Sequence, residues 1–303
     1  MQDGSKKAII AAFVANLGIA CAKLVGFFFT RSPGMLAESV HSLADTGNQG
    51  LLMLGAKRAQ KQATTKHPFG YGRERYFWAF AVALVLFSLG GSFALYEGID
   101  KVLHPHEPKY FLIGLGILLV SIVLEGYSFK TALHEARMQK GDARFIAFLR
   151  HAKSPELPVV LLEDAGALIG LALALAGLIM AEVTGNGRWD AVGSLAIGVL
   201  LIAIAIFLCV EMKSLLIGES ASHREESAIV AAIEGSPEVQ RLIHLRTLHL
   251  GPDEVLLGTK IHFDESFSTV ELAAAIDAVE ARVRAAVPSA TVIYIEPDIT
   301  RTP

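Results

Sequence analysis

The stretch Met35-Leu-Ala-Glu-Ser-Val-His41-Ser-Leu-Ala-Asp45-Thr-Gly-Asn-Gln-Gly-Leu-Leu-Met-Leu54 is apolar for most of its length, yet it carries Glu38, His41, Asp45, Asn48 and Gln49. These polar residues recur three or four apart, a spacing that gathers them on one face of a helix. The stretch therefore reads as a membrane-spanning helix whose polar stripe faces other helices rather than lipid.

Five further runs approach the roughly 20 apolar residues that a helix needs to cross a hydrocarbon core. They are Ile9–Phe29, Tyr76–Val102, Tyr110–Tyr127, Leu157–Ala181 and Ala191–Val210. The loop charges test a count of six, because lysine and arginine concentrate on the cytoplasmic side. The segment after the second span carries Lys57, Arg58, Lys61, Lys66, Arg73 and Arg75; that after the fourth carries Lys130, Arg137, Lys140, Arg144, Arg150 and Lys153; Lys6 and Lys7 precede the first. The opposite loops hold only Arg31, Lys101, Lys109 and Arg188. Fourteen against four alternates only if the polar stretch spans, and it puts both termini in the cytoplasm.

Composition agrees. Of 303 residues, 52% are hydrophobic and 19% charged, with a mean hydropathy of +0.47; soluble domains carry about 25% charged residues. An ordinary soluble enzyme is excluded, and a net charge of -3 gives no reason to expect nucleic acid. Cys21 and Cys209 lie far apart inside apolar runs and read as buried small hydrophobes. The first apolar run is too long for a cleavable signal peptide and lacks a small-residue cleavage pattern.

After about Glu219 the pattern changes. Residues 1–218 read as the membrane domain and 219–303 as a soluble one. Glu225–Ile233 is helix-like, Leu242–Leu250 and Val255–Phe263 are strand-like runs joined by Gly251-Pro252-Asp253, and Ser268 with Glu271 forms a capping box before an alanine-rich helix to Ala286. Ala290–Ile295 is a last strand. The order α-β-β-α-β implies a small α+β sandwich with its helices on one face of a sheet.

An ionisable side chain at membrane depth costs roughly 2.5–3.5 kcal/mol on insertion scales, so its default reading is functional. His41 and Asp45, at i and i+4, place an imidazole and a carboxylate one turn apart. Glu163 and Asp164 sit inside the fifth span, about 100° apart on a helix, so one can join His41 and Asp45 while the other faces elsewhere. Only Lys23 is available as an intramembrane counter-ion. Uncompensated carboxylates with an imidazole suit zinc, and nearly as well cobalt, manganese, iron or nickel. Glu97 and Glu125 fall toward span ends, where an interfacial place is the ordinary reading, and Asn16, Asn48 and Gln49 read as interhelical hydrogen-bonding groups. His104 and His106 are weaker candidates for holding a departing ion. Pro158 removes a backbone hydrogen bond within a helix, which leaves two roles open for Glu163: swung toward the ion by a local disturbance, or bonded to another span.

These motifs resemble the cation diffusion facilitator family of divalent-metal/proton antiporters. The resemblance rests on Ala37-Glu-Ser-Val-His41-Ser-Leu-Ala-Asp45, on His67-Pro-Phe-Gly-Tyr-Gly-Arg73, on Asp164, on Trp189-Asp190 and on the closing Ile-Glu296-Pro. It covers essentially the whole chain. Leu161-Leu-Glu-Asp164 resembles the branch that includes the mitochondrial zinc transporter of animals and its bacterial relatives. The resemblance implies six transmembrane helices followed by a cytoplasmic ferredoxin-like domain, with His41, Asp45 and Asp164 on the transport-site positions. Where many members place a fourth ligand, four residues before the aspartate, this chain has Val160; water or Glu163 is left to complete the set. Tyr71 stands at the position that would partner His67, and in the tail only His244, His249 and His262 remain, so the tail is expected to dimerise rather than to hold a metal cluster.

The function implied is efflux of a divalent transition metal, zinc foremost, from the cytoplasm by proton-coupled alternating access. The chain is then a secondary transporter and not an enzyme, with no resident cofactor, working as a homodimer in a bacterial inner membrane. Manganese, iron or cobalt as main substrate is the alternative within this class. A non-transporting metal sensor or scaffold is the alternative outside it, and an intramembrane metalloprotease lacks its H-E-x-x-H motif.

Overall fold

The computed structural model describes residues 3–30, 33–104, 111–140 and 144–299, and the side chains of residues 3–5, 30, 33–38, 40, 41, 44 and 87 also lie outside the description. The chain forms two compact units, Met1–Lys57 with Arg75–Lys213, and Arg58–Glu74 with Ser214–Pro303.

The first unit is helical. It contains α1 (Asp3–Thr30), α2 (Pro33–Ala59), α3 (Glu74–Val85), a π-helical segment (Leu86–Ser92), α4 (Phe93–Leu103), α5 (Phe111–Lys140), α6 (Phe145–His151), α7 (Glu156–Thr184) and α8 (Arg188–Ile217). Among the described residues five helical runs are long and apolar enough to cross a membrane: 6–29, 74–103, 111–140, 156–184 and 188–217. The sixth expected span is α2. Its 27 residues reach about 40 Å at 1.5 Å per residue, ample for a crossing, but its polar stripe lowers its hydropathy below that of the other five. That stripe is turned inward: Ser42, Thr46, Asn48 and Gln49 are buried, while Leu43 and Gly47 are exposed. Elsewhere large apolar side chains such as Val14, Phe29, Leu112, Val123 and Val183 stand exposed, a surface that only lipid or a partner can cover.

Small residues let the helices approach closely, as membrane packing requires in the absence of a hydrophobic drive between helices. A Cβ on Gly98 of α4 would lie 2.9 Å from the Leu195 backbone nitrogen of α8, and one on Gly198 would lie 2.8 Å from the Leu95 nitrogen. Pro158 is the third residue of α7, which begins at Glu156. Its missing N–H is among the four that a helix N-terminus leaves without an intrahelical acceptor, so it causes no break near Glu163 and α7 runs on to Thr184.

The second unit contains α9 (His223–Glu234), β1 (Val239–Gly251), β2 (Glu254–Phe263), α10 (Thr269–Ala286) and β3 (Ala290–Pro297). β2 is central, antiparallel to β1 and parallel to β3. Its burial alternates strictly: Val255, Leu257, Thr259, Ile261 and Phe263 point inward, one face of a pleated strand. They meet Ile229 and Ile233 of α9 and Ala275, Val279 and Val283 of α10. Each fully buried Ile, Leu or Val side chain there contributes about 1.5–3 kcal/mol. Both helices open with a capping box, Ser268 with Glu271 as expected and Ser222 with Glu225 in addition.

Residues 58–74 belong to this second unit, and glycines explain how. Gly70 turns the chain at φ 79°, a conformation side chains resist. Gly72 then lies against the β1–β2 turn: a Cβ on it would be 2.7 Å from the Leu250 carbonyl oxygen, and one on Gly251 would be 2.9 Å from Gly72 Cα. Two backbones touch where only hydrogen fits. His67, in the same segment, is exposed, with its ring 4.7 Å from that of Tyr71.

Candidate cation site

A cavity of about 200 Å³ lies among the helices of the first unit, lined by residues of α1, α2, the π segment, α4, α5, α7 and α8. Among the described residues, Asp45, Glu97, Glu125, Glu163 and Asp164 supply five carboxylates to its lining, and Lys23 is the single basic residue. Asp45 is half-buried; Glu125, Glu163 and Asp164 are buried.

The two adjacent carboxylates of α7 face different helices, as their ~100° separation requires. Asp164 turns to α5, where Ser128 Oγ donates to its Oδ2 at 2.6 Å. Its other oxygen, Oδ1, is buried with no hydrogen-bond partner among the described residues. Glu163 turns to α2. Asn48 Nδ2 donates to its Oε1 and Gln49 Nε2 to its Oε2, both at 2.9 Å, and Asn16 Nδ2 of α1 donates to Gln49 Oε1 at 3.3 Å. Both oxygens of Glu163 are thus engaged by amides, in a chain of bonds that ties three helices together. The position of a fourth family ligand, Val160, is fully buried and apolar.

Of the expected site residues, the structure brings Asp45, Glu163 and Asp164 to one cavity. The His41 side chain and His106 lie outside the described residues. Among the described residues no three His, Cys, Asp or Glu side chains group closely enough to hold one ion; the carboxylates ring the space rather than converge.

Sequence reasoning found the helix α5 as the span Tyr110–Tyr127 but missed its polar face. Glu125 is not interfacial: it is 5% exposed and lines the cavity. The buried face of α5 runs Ser121, Glu125, Ser128, Ala132, Glu135 and Ala136, a polar stripe at helical spacing that was legible in principle. Ending the span at Tyr127 put Glu125 near an edge, whereas the helix continues to Lys140.

The cavity also reaches Glu97 and Ser194. There Lys101 Nζ lies 3.0 Å from Glu97 Oε1 and 3.0 Å from Asp190 Oδ2, and it donates to Ser194 Oγ at 3.2 Å. Asp190 of the Trp189-Asp190 motif thereby joins α8 to α4. At the other end of the helices Arg75 and Glu156, in the first turns of α3 and α7, form a fork of two bonds, Nε to Oε1 and Nη2 to Oε2, the latter 2.9 Å. They are 4% and 1% exposed. Arg75, counted from sequence among the loop charges, is a buried structural group.

In the second unit His249 is buried, with its Nδ1 3.1 Å from the Gly251 carbonyl oxygen. His244 is exposed, and His262 Nε2 lies 3.6 Å from Glu265 Oε1. Burial acts to raise the Glu225 carboxyl, but hydrogen bonds from Ser222 and Ser289 and the nearby His249 outweigh it and hold it below its usual range.

Residues 9–217 match the family model of the cation efflux transmembrane domain. The chain belongs to the cation efflux family, whose members are transporters; it is an integral membrane protein and not an enzyme. A mitochondrial proton-coupled zinc antiporter of Xenopus laevis is 32% identical over 266 residues, 87% of this chain and 47% of that protein. Metal tolerance protein C4 of Arabidopsis thaliana is 28% identical over 264 residues, 86% of this chain and 57% of the relative. The magnetosome protein MamB of Magnetospira sp. (strain QH-2) is 27% identical over 281 residues, 91% of this chain and 89% of that one. The chain spans about half the length of the zinc antiporters it matches.

Proposed function

We propose that the protein exports a divalent transition-metal cation, zinc foremost, in exchange for protons, by exposing one intramembrane site to the two sides of a bacterial inner membrane in turn. Asp45 and Asp164 hold the ion together with His41, and Glu163 supports them by fixing α7 against α2. The observation that carries this reading is Asp164: among the described residues its buried carboxylate oxygen has no hydrogen-bond partner, and the cavity wall on which it lies carries five acids and one lysine. Native structures rarely leave such a group unsatisfied, and a cation is what satisfies it. The names of the zinc antiporters among the relatives support zinc as cargo.

Ligands must be deprotonated to bind metal, so the same groups exchange metal for protons; an imidazole is suited to this by its reference pKa of about 6.5. The loop-charge asymmetry supports cytoplasmic termini. The soluble part of the second unit, 219–303, serves in this reading to hold two copies together. Liposomes carrying the purified protein, a zinc-sensitive dye and a pH indicator test the reading. Zinc entry accompanied by proton exit is expected; zinc entry with no proton movement, or no zinc entry, contradicts it.

A further inference from the structure

The geometry points to Glu125 of α5, assisted by Ser121, as a direct ligand of the transported cation. This rests on the reading of Asp45 and Asp164 as the cation site.

Three observations converge. First, α5 and α7 run antiparallel in contact: Ser128 bonds Asp164, and a Cβ on Gly114 would lie 3.7 Å from Leu178 Cδ2. Glu125 is therefore one turn from the residue that holds Asp164, about 4.5 Å along the helix at 1.5 Å per residue, on the same face and toward the cavity. Second, Ser121 lies one further turn along that face. It is 1% exposed, it lines the cavity, and its Oγ has no hydrogen-bond partner among the described residues. A hydroxyl in a helix ordinarily bonds a carbonyl one turn back; this one does not, and it lines the same cavity as another oxygen without a partner among the described residues, Asp164 Oδ1. Third, Glu125 receives no hydrogen bond among the described residues, unlike Glu163, whose two oxygens are both occupied. Of the two candidates to complete the ligand set, Glu125 is the one with oxygens to give.

Chemistry favours this too. Carboxylates and a hydroxyl are hard oxygen donors, and with one imidazole they make a set that accepts zinc, cobalt and manganese rather than one selecting a soft ion. The carboxylates ring the cavity instead of converging, so an ion taken up there draws α5 toward α2 and α7.

The test uses the full-length protein in detergent, titrated with zinc chloride by calorimetry and saturated with cobalt chloride for its visible spectrum. Glu125→Gln is expected to weaken zinc binding at least tenfold and to change the saturated cobalt bands, because a coordinating oxygen is lost. Ser121→Ala is expected to weaken zinc about threefold. Should Glu125→Gln bind zinc like the wild type while Asp164→Asn loses it, Glu125 is not a ligand and the Asp164 reading stands. An unchanged cobalt spectrum with weakened affinity means that Glu125 acts only through its charge, which also overturns the proposal. If Asp164→Asn itself binds normally, the underlying site is wrong. Should Glu125→Gln not fold, Glu125→Asp keeps the charge but withdraws it by one methylene, and an unaltered cobalt spectrum in that variant overturns the proposal equally.

Discussion

Replacing Glu163 separates a ligand from a support. Its two oxygens accept one amide each, from Asn48 and Gln49, at 2.9 Å. Hydrogen bonds to a charged group contribute about 1.5–3 kcal/mol apiece, so Glu163→Ala, which orphans both donors, should cost about 3–6 kcal/mol before any cavity effect. Glu163→Gln is milder. One acceptor oxygen remains, and the new NH2 can face Asn48, whose Oδ1 is buried and has no partner among the described residues; rotating that amide turns an unsatisfied acceptor into a used one. The remaining loss is the charge assistance, about 1–2 kcal/mol. Thermal unfolding in detergent should show the alanine variant melting well below the glutamine variant. Zinc affinity carries the functional half: Glu163→Gln should stay within about threefold of wild type while Asp164→Asn falls by more than tenfold, a difference of at least about 0.7 kcal/mol between the two. Equal losses in the two variants refute the reasoning, because they would make Glu163 a ligand.

Three other outcomes follow from the same geometry. Arg75→Met leaves Glu156 as an uncompensated buried charge and should cost about 3–5 kcal/mol, whereas the double variant with Glu156→Met should cost less than either single one; thermal melts of the three variants check this, and additive losses contradict it. Gly72→Ala places a Cβ 2.7 Å from the Leu250 carbonyl oxygen, and overpacking of that kind costs about 1–3 kcal/mol, visible as increased proteolysis of residues 58–74. The guanidinium of Arg282, hydrogen-bonded to Glu238, holds that carboxyl below the usual range. A depressed folded value contributes stability above the unfolded pKa of about 4.3 that disappears as pH falls through the folded value, so Glu238→Gln should flatten the acid limb of the stability profile and leave its slope above pH 6 unchanged.

Periodicity carried much of this architecture from the sequence alone. The alternation of Val255, Leu257, Thr259, Ile261 and Phe263 and the Ser268–Glu271 cap mark β2 and α10 because both signals are local. The Ser222–Glu225 cap has the same form and is equally readable, but the expected helix starts at Glu225, two residues late. What sequence could not supply was side-chain partnership across helices. Arg75 looks like any loop cation until Glu156, 81 positions away, is seen to bury it. Glu125 looks interfacial until α5 is found to extend beyond Tyr127, with Ser121 and Glu125 lining the cavity and Ser128 bonding Asp164 of α7. The division of labour between Glu163 and Asp164 was bounded by helical geometry, yet which helix each faces depended on Asn48, Gln49 and Ser128, residues whose polar atoms fit many partners. Likewise the glycines of His67-Pro-Phe-Gly-Tyr-Gly-Arg73 announced a turn, while the reason for Gly72 is Gly251, almost 180 positions on.

The central claim is that two carboxylates on the cavity wall, Asp45 and Asp164, carry the ion. Zinc flux into dye-loaded proteoliposomes under an opposing proton gradient, measured for the wild type, Asp45→Asn and Asp164→Asn at equal reconstituted amounts, tests it most directly. The account predicts proton-driven flux for the wild type and its loss in both variants, each still folded and running as the wild type does on size exclusion. Wild-type flux in the Asp164→Asn protein would contradict it.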